Sequence, residues 1–274
     1  MNFSKQVLID FAKLCNISYL SSDKVVEGFY ARPINKNSEE SVFYKCDAPP
    51  TLYSCKRDSQ MYVCKYDNKL SITFRGTESA RDILTDLNLI LVELPLKNLR
   101  EKEDVPEIHW GFYNQFSELK PNIDKIVKEY HESADTLDKE IIFSGHSLGG
   151  ALATISALNY ANEYPDIIVN CITLGSPRVG NNKFAEMFNK SVLTSYRFVN
   201  DNDPIPCLPT AWRYKHVKGC VWLTDDLVKN NINVWRGWYF FKNYILSFFG
   251  YGYDASQDHN CQGYIRDMEI LSEN

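Results

Sequence analysis

Residues 141–153, IIFSGHSLGGALA, join a short apolar run to an alanine-rich run through a turn made of one serine among three glycines. The apolar run reads as a buried strand and SLGGALATISALNYANEY as a helix, so Gly145 and Gly149 sit where side chains would clash in a very tight turn. One such unit needs a sheet of similar units around it. They follow: DIIVNCITLGS reads as a strand, NNKFAEMFNK as a brief helix and LTSYRFVN as a strand ending in the acidic turn DNDP. Helices alternating with strands predict an α/β fold, with a mostly parallel central sheet and helices on both faces.

The flanks are less regular. Residues 1–20 place Val7, Leu8, Phe11, Ala12, Cys15 and Tyr19 at helical spacing, interrupted by Asp10 and Lys13. This predicts an amphipathic helix rather than a secretory leader, which points to the cytoplasm. Ser21 to Asp58 is polar, with two prolines at 49 and 50, and reads as long surface loops with short extended pieces. MYVCKYDNKLSITFRG reads as a hairpin turning at Asp67 and Asn68. Residues 112–133 carry Phe116, Leu119, Ile123, Ile126, Val127 and Tyr130 at helical intervals, with Pro121 marking a kink or a second start. The aromatic-rich stretch from 226 to 253 is broken by Arg236, Gly237 and Lys242, leaving no clean span of about 20 residues for a bilayer.

A length of 274 residues suits one α/β domain over 1–274. The net charge of -5, with no long Lys or Arg run, excludes nucleic acid as a partner. Eight cysteines, at 15, 46, 55, 64, 171, 207, 220 and 261, read as reduced core thiols. Cys46, Cys55 and Cys64 recur every nine residues without a Cys-x-x-Cys pair, so no metal site is expected.

In G-x-S-x-G between a strand and a helix, the serine occupies a strained turn that lifts its hydroxyl above the sheet edge. The helix then points unpaired N–H groups at any oxygen that gains negative charge there. Ser147 is therefore the candidate nucleophile. A serine alcohol needs an imidazole to take its proton and a carboxylate to orient that imidazole, in the chain order Ser, Asp, His. Asp201 and Asp203, both in RFVNDNDPIP, satisfy the strand-end position equally. His259 in QDHNCQGYI precedes the last structural segment, while His109, His131, His146 and His216 read as surface or core histidines. His146 is expected to point elsewhere on the elbow.

FRGT at 74–77, HWGF at 109–112, GHSLGG at 145–150, VNDNDPIPCLP at 199–209 and DHNCQGY at 258–264 together resemble the fungal-type triacylglycerol lipases, the class 3 lipases. The resemblance covers about residues 60–265. It implies an α/β-hydrolase fold with Ser147 as nucleophile, His259 as base and Asp203 as acid, chosen over Asp201 by the family's V-N-x-x-D pattern. It also implies an oxyanion hole from Thr77 and the backbone N–H of Leu148. The implied reaction is acyl transfer from a lipid ester through an acyl-enzyme, with no metal or cofactor. Carboxylesterase or phospholipase action on the same triad, or a non-catalytic lipid-binding scaffold, are the alternatives. A lid is expected over residues 78–92, with Ile83 where the family often has tryptophan. Leu84, Leu87, Leu89, Ile90, Leu91 and Val92 are candidates for an apolar wall, and Trp235 to Tyr253 for the border of the acyl groove or a transient lipid-surface contact.

Overall fold

The structure, a computed structural model, describes residues 3–31, 39–55, 59–77, 89–99, 105–133, 139–200, 203–209, 212–224, 227–230 and 258–273. Its centre is an eight-stranded sheet. In chain order the strands are Thr51–Ser54 (β1), Gln60–Tyr66 (β2), Lys69–Phe74 (β3), Glu140–His146 (β6), Ile168–Leu174 (β7), Thr194–Asn200 (β8), Cys220–Thr224 (β9) and Leu227–Asn230 (β10). Leu91–Glu93 (β4) and Glu107–His109 (β5) pair separately. The spatial order is β1-β2-β3-β6-β7-β8-β9-β10. Neighbours from β3 to β9 run parallel, and both ends of the sheet are antiparallel.

The helices are Lys5–Ile17 (α1), Ser22–Ala31 (α2), Trp110–Glu132 (α3), Leu148–Glu163 (α4), Asn182–Ser191 (α5) and Cys261–Glu273 (α6). Alternation along the strands divides the core between the two sheet faces. Ile141, Phe143, Val169 and Cys171 pack with Phe116, Leu119 and Ile123 of α3 and with α4. Ile142, Ile172 and Leu174 face the other way, against Phe11 and Leu14 of α1 and Tyr264 and Ile265 of α6. Each such fully buried Ile, Leu or Phe contributes about 1.5–3 kcal/mol. The strands therefore read as continuous apolar runs because both faces are covered.

The hairpin turns at Asp67 (φ 51°) and Asn68 (φ 63°), the left-handed pair that a two-residue turn between twisted strands requires. One expectation, a kink or a second start at Pro121, is narrowed, and another is corrected. Helix α3 runs through Pro121 without a second start, because Phe112, Phe116, Leu119, Ile123 and Val127 form one buried stripe on both sides of it. That burial outweighs the roughly 3 kcal/mol cost of an interior proline. Residues 22–31, read as loop, form α2, whose Val25 and Phe29 lie four apart and bury against the same core as Phe43. With Val26 and Tyr30 exposed, two buried residues one turn apart are too short a stripe to stand out in a polar stretch.

Most of the expected lid, residues 78–88 with Leu84 and Leu87, lies outside the described residues, as do residues 231–253 of the aromatic stretch. Of the expected apolar wall, Leu89 and Ile90 are exposed and Leu91 and Val92 are half-buried on β4. None of the eight cysteines, all within the described residues, is in a disulfide. Burial pushes the Cys15 and Cys171 thiols up to about 12.

Candidate active site

Ser147 closes β6 and precedes α4 with φ 59° and ψ −126°, a backbone conformation that L residues rarely adopt. Close packing holds it there. A Cβ on Gly145 would lie 2.3 Å from the Gly149 carbonyl carbon and oxygen, and one on Gly149 would lie 2.3 Å from the Phe74 oxygen. The turn thus presses the start of α4 against the ends of β6 and β3. Ser147 N–H donates to the Leu174 carbonyl at 2.9 Å, and its own carbonyl accepts from Gly150 N–H at 2.9 Å. A serine at a helix start usually turns its hydroxyl onto the first free N–H groups. The Ser147 side chain makes no such cap. Its Oγ lies instead 2.7 Å from His259 Nε2.

The other face of that imidazole meets a carboxylate. His259 Nδ1 is 2.9 Å from Asp203 Oδ2 and 3.0 Å from Oδ1. A carboxylate can only accept, so Nδ1 carries the proton and Nε2 presents its lone pair to the serine hydroxyl. Besides His259, two groups hold Asp203, and one of them is itself anchored. Ile205 N–H donates to Oδ1 at 2.9 Å, the Tyr264 hydroxyl donates to Oδ2, and the Tyr264 oxygen accepts Asn200 N–H at 2.9 Å. The turn after β8 and the start of α6 are thereby tied to one carboxylate.

The structure brings Ser147, His259 and Asp203 together; Asp201 lies outside the described residues. Thr77 lies just beyond β3, where a Cβ on the preceding Gly76 would sit 3.3 Å from Ser147 Cβ. Leu148 is the first residue of α4. The remaining histidines have other partners. His216 Nε2 donates to the Pro206 carbonyl at 2.6 Å, His131 pairs with Asp166 at 2.7 Å, and His109 Nδ1 accepts Gly111 N–H at 3.2 Å. His146 is a buried histidine whose ring centroid is 4.6 Å from that of His259.

Three features of the site were not anticipated. Tyr264 stands in the quoted DHNCQGY block, but only the fold shows it reaching Asp203. Gly175, after β7, has φ 58°, and a Cβ there would lie 2.7 Å from Asp203 Oδ2 and 3.0 Å from His259 Cε1. The third is burial. The residue expected to lift its hydroxyl is itself buried, Ser147 being 0% and His259 5% exposed.

Burial, and then the neighbouring His259, hold His146 well below the ordinary histidine value of 6.5. The unfolded chain binds a proton near that pH which the folded chain refuses. Stability should therefore fall as pH drops below about 6.5, by about 1.4 kcal/mol per unit for this one group, until His146 protonates in the fold too. Urea unfolding of wild type and His146→Gln at about pH 7.5 and 5.5 checks this. The stability of wild type relative to the glutamine variant should decline on acidification; a constant difference would contradict it.

Comparison with known proteins bears on the site. A family profile described as lipase (class 3) matches residues 71–212. The secreted mono- and diacylglycerol lipase LIP4 of Malassezia restricta is 28% identical over 157 residues, 56% of this chain and 52% of that protein. Secreted mono- and diacylglycerol lipase 1 of Fusarium solani is 34% identical over 118 residues, 42% of this chain and 34% of that protein. The chain thus spans about half, or less, of the length of these curated relatives. The native Rhizomucor miehei lipase propeptide complex superposes with a TM-score of 0.62 at 22% identity, over 82% of this chain and 70% of that one. The fold is that of the α/β-hydrolases. Both sequence relatives are named as secreted, which overturns the cytoplasmic expectation. That expectation rested on the amphipathic pattern of residues 1–20, which the packing of α1 into the core explains and which says nothing of compartment.

Proposed function

The chain belongs to the class 3 lipase family, and from that premise we propose that it is a serine ester hydrolase acting on acylglycerol-type lipid esters. The observation that carries the reading is the 2.7 Å contact between Ser147 Oγ and His259 Nε2, with Asp203 on the opposite nitrogen. In this reading Ser147 attacks the ester carbonyl while His259 Nε2 takes its proton. Asp203 holds the ring in the productive tautomer and favours the imidazolium that forms. The oxyanion faces Thr77 and the Leu148 N–H at the start of α4, where the helix dipole also favours negative charge. His259 then protonates the leaving alcohol, and water releases the fatty acid by the reverse sequence.

The relatives named as mono- and diacylglycerol lipases support glycerol esters as the substrate class. A fluorophosphonate probe should label Ser147, and kcat/KM on p-nitrophenyl esters should rise from acetyl to octanoyl by about 10-fold or more. Burying two or three further methylenes is enough for that factor. Absence of label at Ser147 rejects the hydrolase reading and leaves the scaffold alternative. A labelled enzyme fastest on acetyl esters rejects the lipid substrate alone.

A further inference from the structure

His146 is the side chain next to the candidate nucleophile, yet its two nitrogens face neither Ser147 nor Asp203. Nε2 lies 2.7 Å from the backbone carbonyl oxygen of His259, and Nδ1 lies 2.8 Å from the Tyr19 hydroxyl. A carbonyl accepts only, so Nε2 carries the proton and donates it, which leaves Nδ1 to accept from Tyr19. The Tyr19 oxygen receives the backbone N–H of Gly76 in turn, and the Arg75 guanidinium lies over its ring at 5.8 Å from the centroid. Space is as tight as the bonding, for a Cβ on Gly76 would lie 2.3 Å from the Tyr19 oxygen and 2.5 Å from the His146 carbonyl oxygen.

The result is one continuous set of hydrogen bonds: Gly76 N–H to Tyr19, Tyr19 to His146, His146 to the carbonyl of His259. It begins in the segment that carries Thr77 and ends on the residue whose ring meets Ser147. Its middle member comes from just beyond α1. Both Tyr19 and His259 fall outside the region that the family profile matches, residues 71–212. The N-terminal helix is firmly seated near that point, with Phe11 and Cys15 fully buried and Lys13 paired to Glu269 of α6 at 2.8 Å.

We propose that Tyr19 and His146 are positioning residues, which lock the backbone of His259 to the segment carrying Thr77 and so set the distance from His259 Nε2 to Ser147 Oγ. This rests on the hydrolase reading above. Neither residue touches the reacting atoms. Two facts make the arrangement more than packing. The backbone of His259 is gripped at its own carbonyl, so a shift of the bond carries directly to the ring, and displacement of a catalytic group by about 1 Å can cost roughly 100-fold in rate. The gripping ring also has to stay neutral, because a second imidazolium 4.6 Å away would oppose the charge His259 acquires. Burial ensures that neutrality.

The test compares wild type, Tyr19→Phe, His146→Leu and His146→Gln on a soluble p-nitrophenyl ester, with the rate of fluorophosphonate labelling at Ser147 measured alongside. All are assayed well below their melting temperatures. Tyr19→Phe and His146→Leu should lower kcat and the labelling rate by roughly 10- to 100-fold with KM within about twofold of wild type. His146→Gln, which keeps an N–H for the His259 carbonyl, should recover most of that loss. Wild-type rates in Tyr19→Phe and His146→Leu overturn the proposal, as does a loss confined to KM. Glutamine no better than leucine overturns the part assigned to the His146 donor. A wild-type protein that takes no label overturns the hydrolase reading itself, an outcome distinct from active variants that match an active parent.

Discussion

Ser147→Ala should lower kcat on p-nitrophenyl esters by roughly 10⁴- to 10⁶-fold, with little change in KM and no loss of fold. The size follows from the proposed roles of the three groups, which act as a unit: without the hydroxyl, His259 would have no proton to take and Asp203 would orient an idle ring. Preservation of the fold follows from a specific observation. The Ser147 hydroxyl caps no N–H of α4, so its removal leaves the helix start as it was. A cap would have cost about 1 kcal/mol to lose. Going further, Ser147→Gly should remove activity equally and raise stability by about 1 kcal/mol, because φ 59° with ψ −126° is strain for serine and ordinary for glycine. Stopped-flow ester hydrolysis and thermal melts measure both. An alanine variant that retains a tenth of the wild-type rate would remove Ser147 from the nucleophile's role.

Gly145→Ala should be the most damaging conservative change in the turn. Its new methyl carbon would lie 2.3 Å from the Gly149 carbonyl carbon and oxygen and 2.8 Å from Gly150 N, all backbone atoms. No side chain can rotate aside. The start of α4 has to retreat from β6, and it takes Ser147 and the Leu148 N–H with it. We expect a loss of about 3 kcal/mol or more of stability and, in the protein that still folds, about 100-fold in kcat. Chemical denaturation of the purified variant measures the first and active-site titration the second. A melting curve superposable on wild type would mean that the elbow is looser than its contacts indicate.

How much of this was legible in the residues depends on how local each cause is. The turn at Ser147 is built by residues within a few positions of it, so the pattern from Gly145 to Gly150 announces it. The same holds for the Asp67–Asn68 hairpin, and for α3, whose stripe was plain although local sequence left a kink or a second start open at Pro121. Local spacing could not choose Asp203 over Asp201; the family resemblance did. Helix α2 was missed because its burial depends on Phe43, which no local pattern connects to Val25 and Phe29. His146 was read as pointing elsewhere on the elbow, and no local pattern could show that its partners there are Tyr19 and the His259 carbonyl.

The chain's own order of residues determined the alternation of strand and helix, the parallel sheet, and the identity of the serine, since each arises from steric and solvation preferences that act over a few residues. Tertiary structure alone decided which side chains meet across long separations: Tyr19 with His146, Tyr264 with Asp203, and Gly175 with both Asp203 and His259. Those contacts join segments up to more than a hundred residues apart, and their partners are set by how α1 and α6 pack together on one face of the sheet. Burial of Ser147 and His259 belongs to the same class. Periodicity reports which face of an element is apolar, and it carries no information about which other element will cover it.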